Sequence, residues 1–123
     1  MPIISQIDSS LGVVFSTCHG VVTHEDILAQ IEMFSADPAF QPSFDHLIDM
    51  RGITQFDVST EGMHLVSMHS TFNEKSRRAI VAEKDEMFGM ARMYQSLREL
   101  FNKPDQVRVF YTMEEARHWL GLD

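Results

Sequence analysis

The first candidates for chemistry in this 123-residue chain are an acid and a base two positions apart. Asp49 and Arg51 lie where the apolar run Phe44 to Met50 gives way to a polar stretch. In open α/β sheets ligands gather at the carboxyl ends of strands, so Asp49, Arg51 and, further along, Glu83 stand where a site would form. The plainer reading is an Asp–Arg pair that fixes the connection, and a motif this short favours it. Asp57 and Ser59 come next, just before a helical pattern. A phosphate on Ser59 would gain from the free N–H groups and dipole of a helix N-terminus. Asp57 and Glu61 would oppose that charge, and a simple N-cap is the favoured reading.

Other reactive types are arranged less suggestively. His64 and His69 are five apart on a helix and diverge, and His19, His24, His46 and His118 form no ligand-spaced cluster. There is no His-Glu-x-x-His or Cys-x-x-Cys pair, so no metal is expected. The single cysteine, Cys18, sits mid-strand and reads as a core residue. Gly-x-Ser-x-Gly, a phosphate-binding glycine loop and a dinucleotide fingerprint are all absent, so no catalytic residue or cofactor is expected and the chain reads as a non-enzyme. A weaker third reading keeps Asp49, Arg51 or Asp57 as a working carboxylate or base, which a perturbed pKa in a cleft would strengthen.

A second apolar strip offers binding rather than catalysis. Met63 and Val66 project away from Leu65, Met68 and Phe72, which we expect on the core face of their helix. Phe88, beside Gly89, falls off the core stripe of the next helix, near Met90 and Met93. The chain has nine methionines, whose flexible side chains suit an adaptable apolar surface. These residues would line a groove for a small apolar, lipid-like ligand or a protein partner. Equally, they would pack under loops or in a homodimer contact.

Composition bounds the setting. The length suits one domain, 1–123, with a core of its own. A net charge of −8 repels phosphate backbones, which argues against nucleic acid and anionic membrane surfaces. One cysteine allows no internal disulfide. The N-terminus lacks the basic and apolar regions of a signal peptide, so a cytoplasmic setting is expected. No stretch is apolar for long enough to insert stably in a membrane.

The elements that must position these residues follow from periodicity. Pro2 to Ile7 and the alternating Leu11 to Val22 read as a hairpin around Asp8-Ser9-Ser10. Thr23 caps a helix with Ile27, Leu28, Ile31 and Phe34 on one face, stopped at Asp37-Pro38. Phe44 to Met50 is a strand, Arg51 to Ser59 a connecting loop, and Thr60 to about Asn73 a helix. Arg77 to Glu83 is a strand covered on both faces. A helix capped at Asp85 runs to about Phe101, with Met87, Met90, Tyr94, Leu97 and Phe101 inward. Val107 to Tyr111 is the last strand, and Thr112 to Glu115 opens the last helix with a capping box. The order ββαβαβαβα predicts an α/β fold: one mixed, mostly parallel five-stranded sheet with an N-terminal hairpin and four helices.

Leu47 to Ser59, an apolar strand ending in Asp and leading through a short loop to a helix, resembles the pattern of STAS domains, the anti-sigma-factor antagonists. Gly20-Val21-Val22-Thr23, Ile48 to Gly52, Ala79 to Ala82, Phe88 to Gln95 and Ala116 to Leu120 resemble its SpoIIAA-like branch, grouped with SEC14-type domains. The resemblance implies that fold and a regulatory, protein-interaction role at Asp49, Arg51, Asp57 and Ser59. In anti-sigma antagonists the second Ser of Asp-Ser-Ser-Gly is phosphorylated. Ser59 takes that place here, with Val58 and Thr60 standing for the first Ser and the Gly. A carrier or sensor for a small apolar ligand, using Met63, Val66, Phe88, Met90 and Met93, is the alternative.

Overall fold

The computed structural model describes residues 1–123 throughout. The elements are β1 (Ile3–Asp8), β2 (Val13–Thr23), α1 (His24–Ser35), β3 (Asp45–Asp57), α2 (Thr60–Met68), β4 (Arg77–Val81), α3 (Asp85–Leu100), β5 (Gln106–Phe110) and α4 (Met113–Trp119). They build one five-stranded sheet in the order β1-β2-β3-β4-β5. β1 runs antiparallel to β2, and every later pairing is parallel.

That order dictates the layers. Each crossover from β2 to β5 steps to the next neighbour in the same direction. Right-handed connections therefore place α1, α2 and α3 on one face of the sheet. α4 follows the last strand and turns to the other face, where Ala116 and Leu120 meet Val13, Leu47, Ala79 and Val81. Strand residues alternate between the layers. Val14, Cys18, Met50, Ile80 and Val107 face the three helices, and their odd-and-even neighbours face α4. No helix is long and apolar enough to cross a membrane.

Helix starts are set by side-chain caps. Thr23 and Asp26 form a reciprocal capping box on α1. Ser59 Oγ accepts from Gly62 N at 3.0 Å on α2, and Thr112 Oγ1 accepts from Glu115 N at 3.2 Å on α4. Each cap is worth about 1 kcal/mol.

Three sequence expectations are corrected. Arg51 to Asp57 is not a loop but the second half of β3. β2, 11 residues against the 13 of β3, supplies the ladder, and register shifts at Thr17/His19 and Gly20/Val21 break the period of two that would have marked it. Gly52 is required there, because a Cβ would stand 2.7 Å from the Cys18 carbonyl oxygen. α2 ends at Met68, and its inward face is the reverse of the one expected. Leu65 and Met68 are 49% and 56% exposed, whereas Met63 and Val66 are buried. Phe72 reaches the core from the following loop instead. Gly62 lies on this buried face and lets α2 close on α1: a Cβ there would lie 2.7 Å from His24 Nδ1. Finally, Lys84 rather than Asp85 holds the N-cap position of α3, and no side chain caps it.

Candidate functional site

The layer of α1, α2 and α3 does not fill the space above the sheet, and a cavity of about 90 Å³ remains. Fifteen of its nineteen lining residues are hydrophobic, so the interior is apolar. Ile48 and Ile80 form the floor, Ile27, Met63 and Met90 the roof, and Phe56 an end wall contributed by the extension of β3. The four other lining residues are Ser16, Gln30, His46 and Arg78.

Three of those four form a polar row across the strands. Ser5 Oγ and Ser16 Oγ are 2.7 Å apart, and Ser16 Oγ lies 2.8 Å from His46 Nε2. His46 is the register partner of Arg78. Arg78 Nη1 donates to Tyr94 Oη at 2.6 Å and to Asp105 Oδ2 at 3.2 Å. Aromatic faces hold the row in place: the Arg78 guanidinium lies 4.7 Å from the Phe72 ring centre, and His46 stacks on the same ring at 5.3 Å. Buried polar groups need such partners, since an orphan costs about 1–3 kcal/mol.

The electrostatics of this end are unbalanced. Asp105 also accepts from Arg98, which donates in addition to the Ser67 and His69 carbonyls at the C-terminus of α2. Both arginine side chains and Asp105 are buried. Two fixed cations thus share one carboxylate. Burial, seconded by the Arg78 charge, holds His46 well below the usual histidine range, so it is neutral. Burial disfavours the Arg78 cation, but Tyr94 and Asp105 outweigh it and its pKa is raised. Three buried nitrogens have no partner: His46 Nδ1, Arg78 Nε and Arg98 Nε. Cys18, also in the wall, has its thiol pushed up to about 12, chiefly by burial and then by Asp49.

The residues singled out from sequence scatter around this cavity. Arg51 folds back on Asp49, with its backbone N–H and Nε donating to Oδ1 at 3.0 and 2.9 Å and Nη2 to Oδ2 at 2.9 Å. Burial raises the Asp49 pKa, yet these bonds and the Arg51 charge outweigh it and the net shift is downward. Asp49 shares the strand face of Leu47, and neither it nor Arg51 lines the cavity. Asp57 is the exposed last residue of β3, and Ser59 is the exposed cap of α2. Met63, Val66 and Met90 do line the cavity. Phe88 instead stacks on Tyr111 with ring centres 3.8 Å apart, and Met93 is 45% exposed. No three His, Cys, Asp or Glu side chains converge as a metal site would need.

Sequence reasoning missed Ser16, His46, Arg78, Tyr94, Arg98 and Asp105. A signal was present. His46 and Arg78 share the strand parity of Ile48 and Ile80, which faces the α1–α3 layer. An ionisable residue at an apolar strand parity is carried into the core, and burying it without a partner is costly.

No protein-family profile and no curated protein matches the sequence. Among solved structures, a crystal structure of an uncharacterized protein of the DUF3478 family from Shewanella loihica PV-4, described as having a SpoIIAA-like fold, superposes with a TM-score of 0.61 at 20% identity. The match spans 96% of this chain and 93% of that one, so it takes in the hairpin, the parallel strands and all four helices together, and this chain has the SpoIIAA-like fold.

Proposed function

We propose that this STAS-like module is a non-enzymatic carrier or sensor that takes a small, largely apolar molecule between its sheet and the α1–α3 layer. One observation carries the proposal: an apolar cavity of about 90 Å³ kept open beneath three helices in so small a domain. An engineered cavity of ~150 Å³ elsewhere is enough to bind benzene, so this one accepts a chain of a few carbons as it stands. Met63 and Met90 in the roof have flexible, polarizable side chains that can yield to a longer one. The seam where His24 meets Gly62 adjoins Ile27 and Met63, which makes it the natural line of opening. The test is NMR of the Met63 and Met90 methyl groups during addition of short-chain alcohols and acids. Saturable shifts at both are expected; a domain whose methionine methyls respond to neither class does not carry such ligands.

A regulatory role through a protein partner at the β3–α2 junction is the second reading. Leu65 and Met68, both exposed on the outer face of α2, favour it. If the double variant L65A/M68A retains every partner that the wild-type protein recovers from lysate, this surface is not the docking site.

A further inference from the structure

We propose that the ligand is an amphipathic anion, a short- to medium-chain carboxylic acid bound with its carboxylate at Arg78 and its chain in the apolar part of the cavity. This rests on the carrier reading above and adds the chemistry of the head group.

The charge count is the first argument. On the α1–α3 side of β4, Arg78 and Arg98 face the single carboxylate of Asp105, while His46 is neutral. Arg98 has an unpartnered Nε of its own, but it binds Asp105 and two carbonyls at the C-terminal end of α2, where the helix dipole is negative, and it does not line the cavity. Arg78 shares Asp105 and otherwise has the phenol of Tyr94. A buried cation with half a counter-ion is costly, and an arriving carboxylate would complete it.

The donor geometry is the second argument. Arg78 makes both of its hydrogen bonds through Nη1, and its Nε has no partner although the side chain is 93% buried, by difference from an exposure of 7%. Guanidinium presents its donors as a planar fork that matches a carboxylate edge. Next to it, His46 Nδ1 is also unpartnered. In the tautomer where Nε2 accepts from Ser16, Nδ1 carries the proton and offers a further donor. Both residues line the cavity, and everything beyond them and Ser16 and Gln30 is hydrophobic. One charged end and one greasy end call for a molecule built the same way.

The test uses the full chain with matched probes: butanoate, hexanoate and octanoate against the alcohols of equal length. The acids are expected to bind at least tenfold more tightly than the alcohols. In R78M that ratio is expected to collapse to within about threefold, while R92M, which removes an exposed arginine from α3, keeps it. A second measurement needs no variant. Carboxyl-labelled hexanoate is titrated by ¹³C NMR in complex with the wild-type protein. A carboxylate met by Arg78 titrates below its free value; one merely buried in hydrocarbon titrates above it. Equal binding of acids and alcohols, or an upward shift of the bound carboxyl, overturns the anion proposal and leaves the carrier reading standing. Binding of neither class overturns both.

Discussion

Arg77 and Arg78 are neighbours in sequence and occupy opposite faces of β4, Arg77 half-exposed and Arg78 buried. On the α4 face, Arg77 donates to Asp45 and to the Trp119 and Leu120 carbonyls at the end of α4. On the other face, Arg98 donates to Asp105 and to the Ser67 and His69 carbonyls at the end of α2. Each face therefore has an arginine and an aspartate that hold a helix C-terminus, Arg77 from β4 itself and Arg98 from α3. The α1–α3 face has Arg78 in addition, and that surplus arginine is the one beside the cavity. Arg77 and Arg98 each hold an aspartate and two carbonyls, whereas Arg78 has only a shared aspartate and a phenol, and it is the one that lines the cavity.

The largest effect should separate the two aspartates. D105N leaves two buried guanidinium groups without a carboxylate and should lose about 3–5 kcal/mol in urea denaturation. D45N should lose about 1 kcal/mol or less, because Arg77 is 38% exposed and can turn to water. Equal losses would break the comparison. Next is the split within the buried face. R98M strands the α2 carbonyls and should cost several kcal/mol. R78M orphans the Tyr94 hydroxyl but leaves one cation matched to one anion, so it should cost about 1–3 kcal/mol, clearly less than R98M. If R78M is as damaging as R98M, Arg78 is structural rather than surplus.

Smaller still is a proton effect. The pKa of His46 is lower in the folded chain than in the unfolded one, so below about pH 6.5 the unfolded state takes up a proton that the native state refuses. Stability therefore falls as the pH drops from there towards the folded pKa, by up to about 1.4 kcal/mol per pH unit. H46Q should remove that part of the slope, and an unchanged slope would mean that His46 protonates freely. The smallest effect belongs to the surface pair. R51A should change stability by about 0–1 kcal/mol, and less at high salt. The depressed Asp49 pKa makes this contribution present above about pH 3.9 and lost as the pH falls through the folded value.

The architecture was legible because its signals are local: the unbroken apolar run Ala79 to Ala82 and the helical spacing within Asp85 to Leu100 each lie in or beside a single element. β3 was half-read because its second part depends on hydrogen bonds from β2, with register shifts that no single-strand pattern reveals. The candidate site was legible only on its greasy side. Met63, Val66 and Met90 stood out by spacing, whereas Ser16, His46, Arg78, Tyr94 and Asp105 come from five separate segments and meet only after the sheet is assembled. Asp49, Arg51, Asp57 and Ser59 drew attention because loop polarity is easy to see. The first two neutralise each other and Ser59 caps a helix.

Cys18 gives this fold a built-in clock. It is the sole thiol in the chain, it sits in the cavity wall, and its high pKa keeps it protonated and slow to react. Alkylation by a maleimide must therefore await the moments when the helix layer lifts, so the labelling rate counts those moments directly. An occupant beneath the layer would both block the sulfur and hold the layer down, and the label would arrive later in proportion to how tightly that occupant is held.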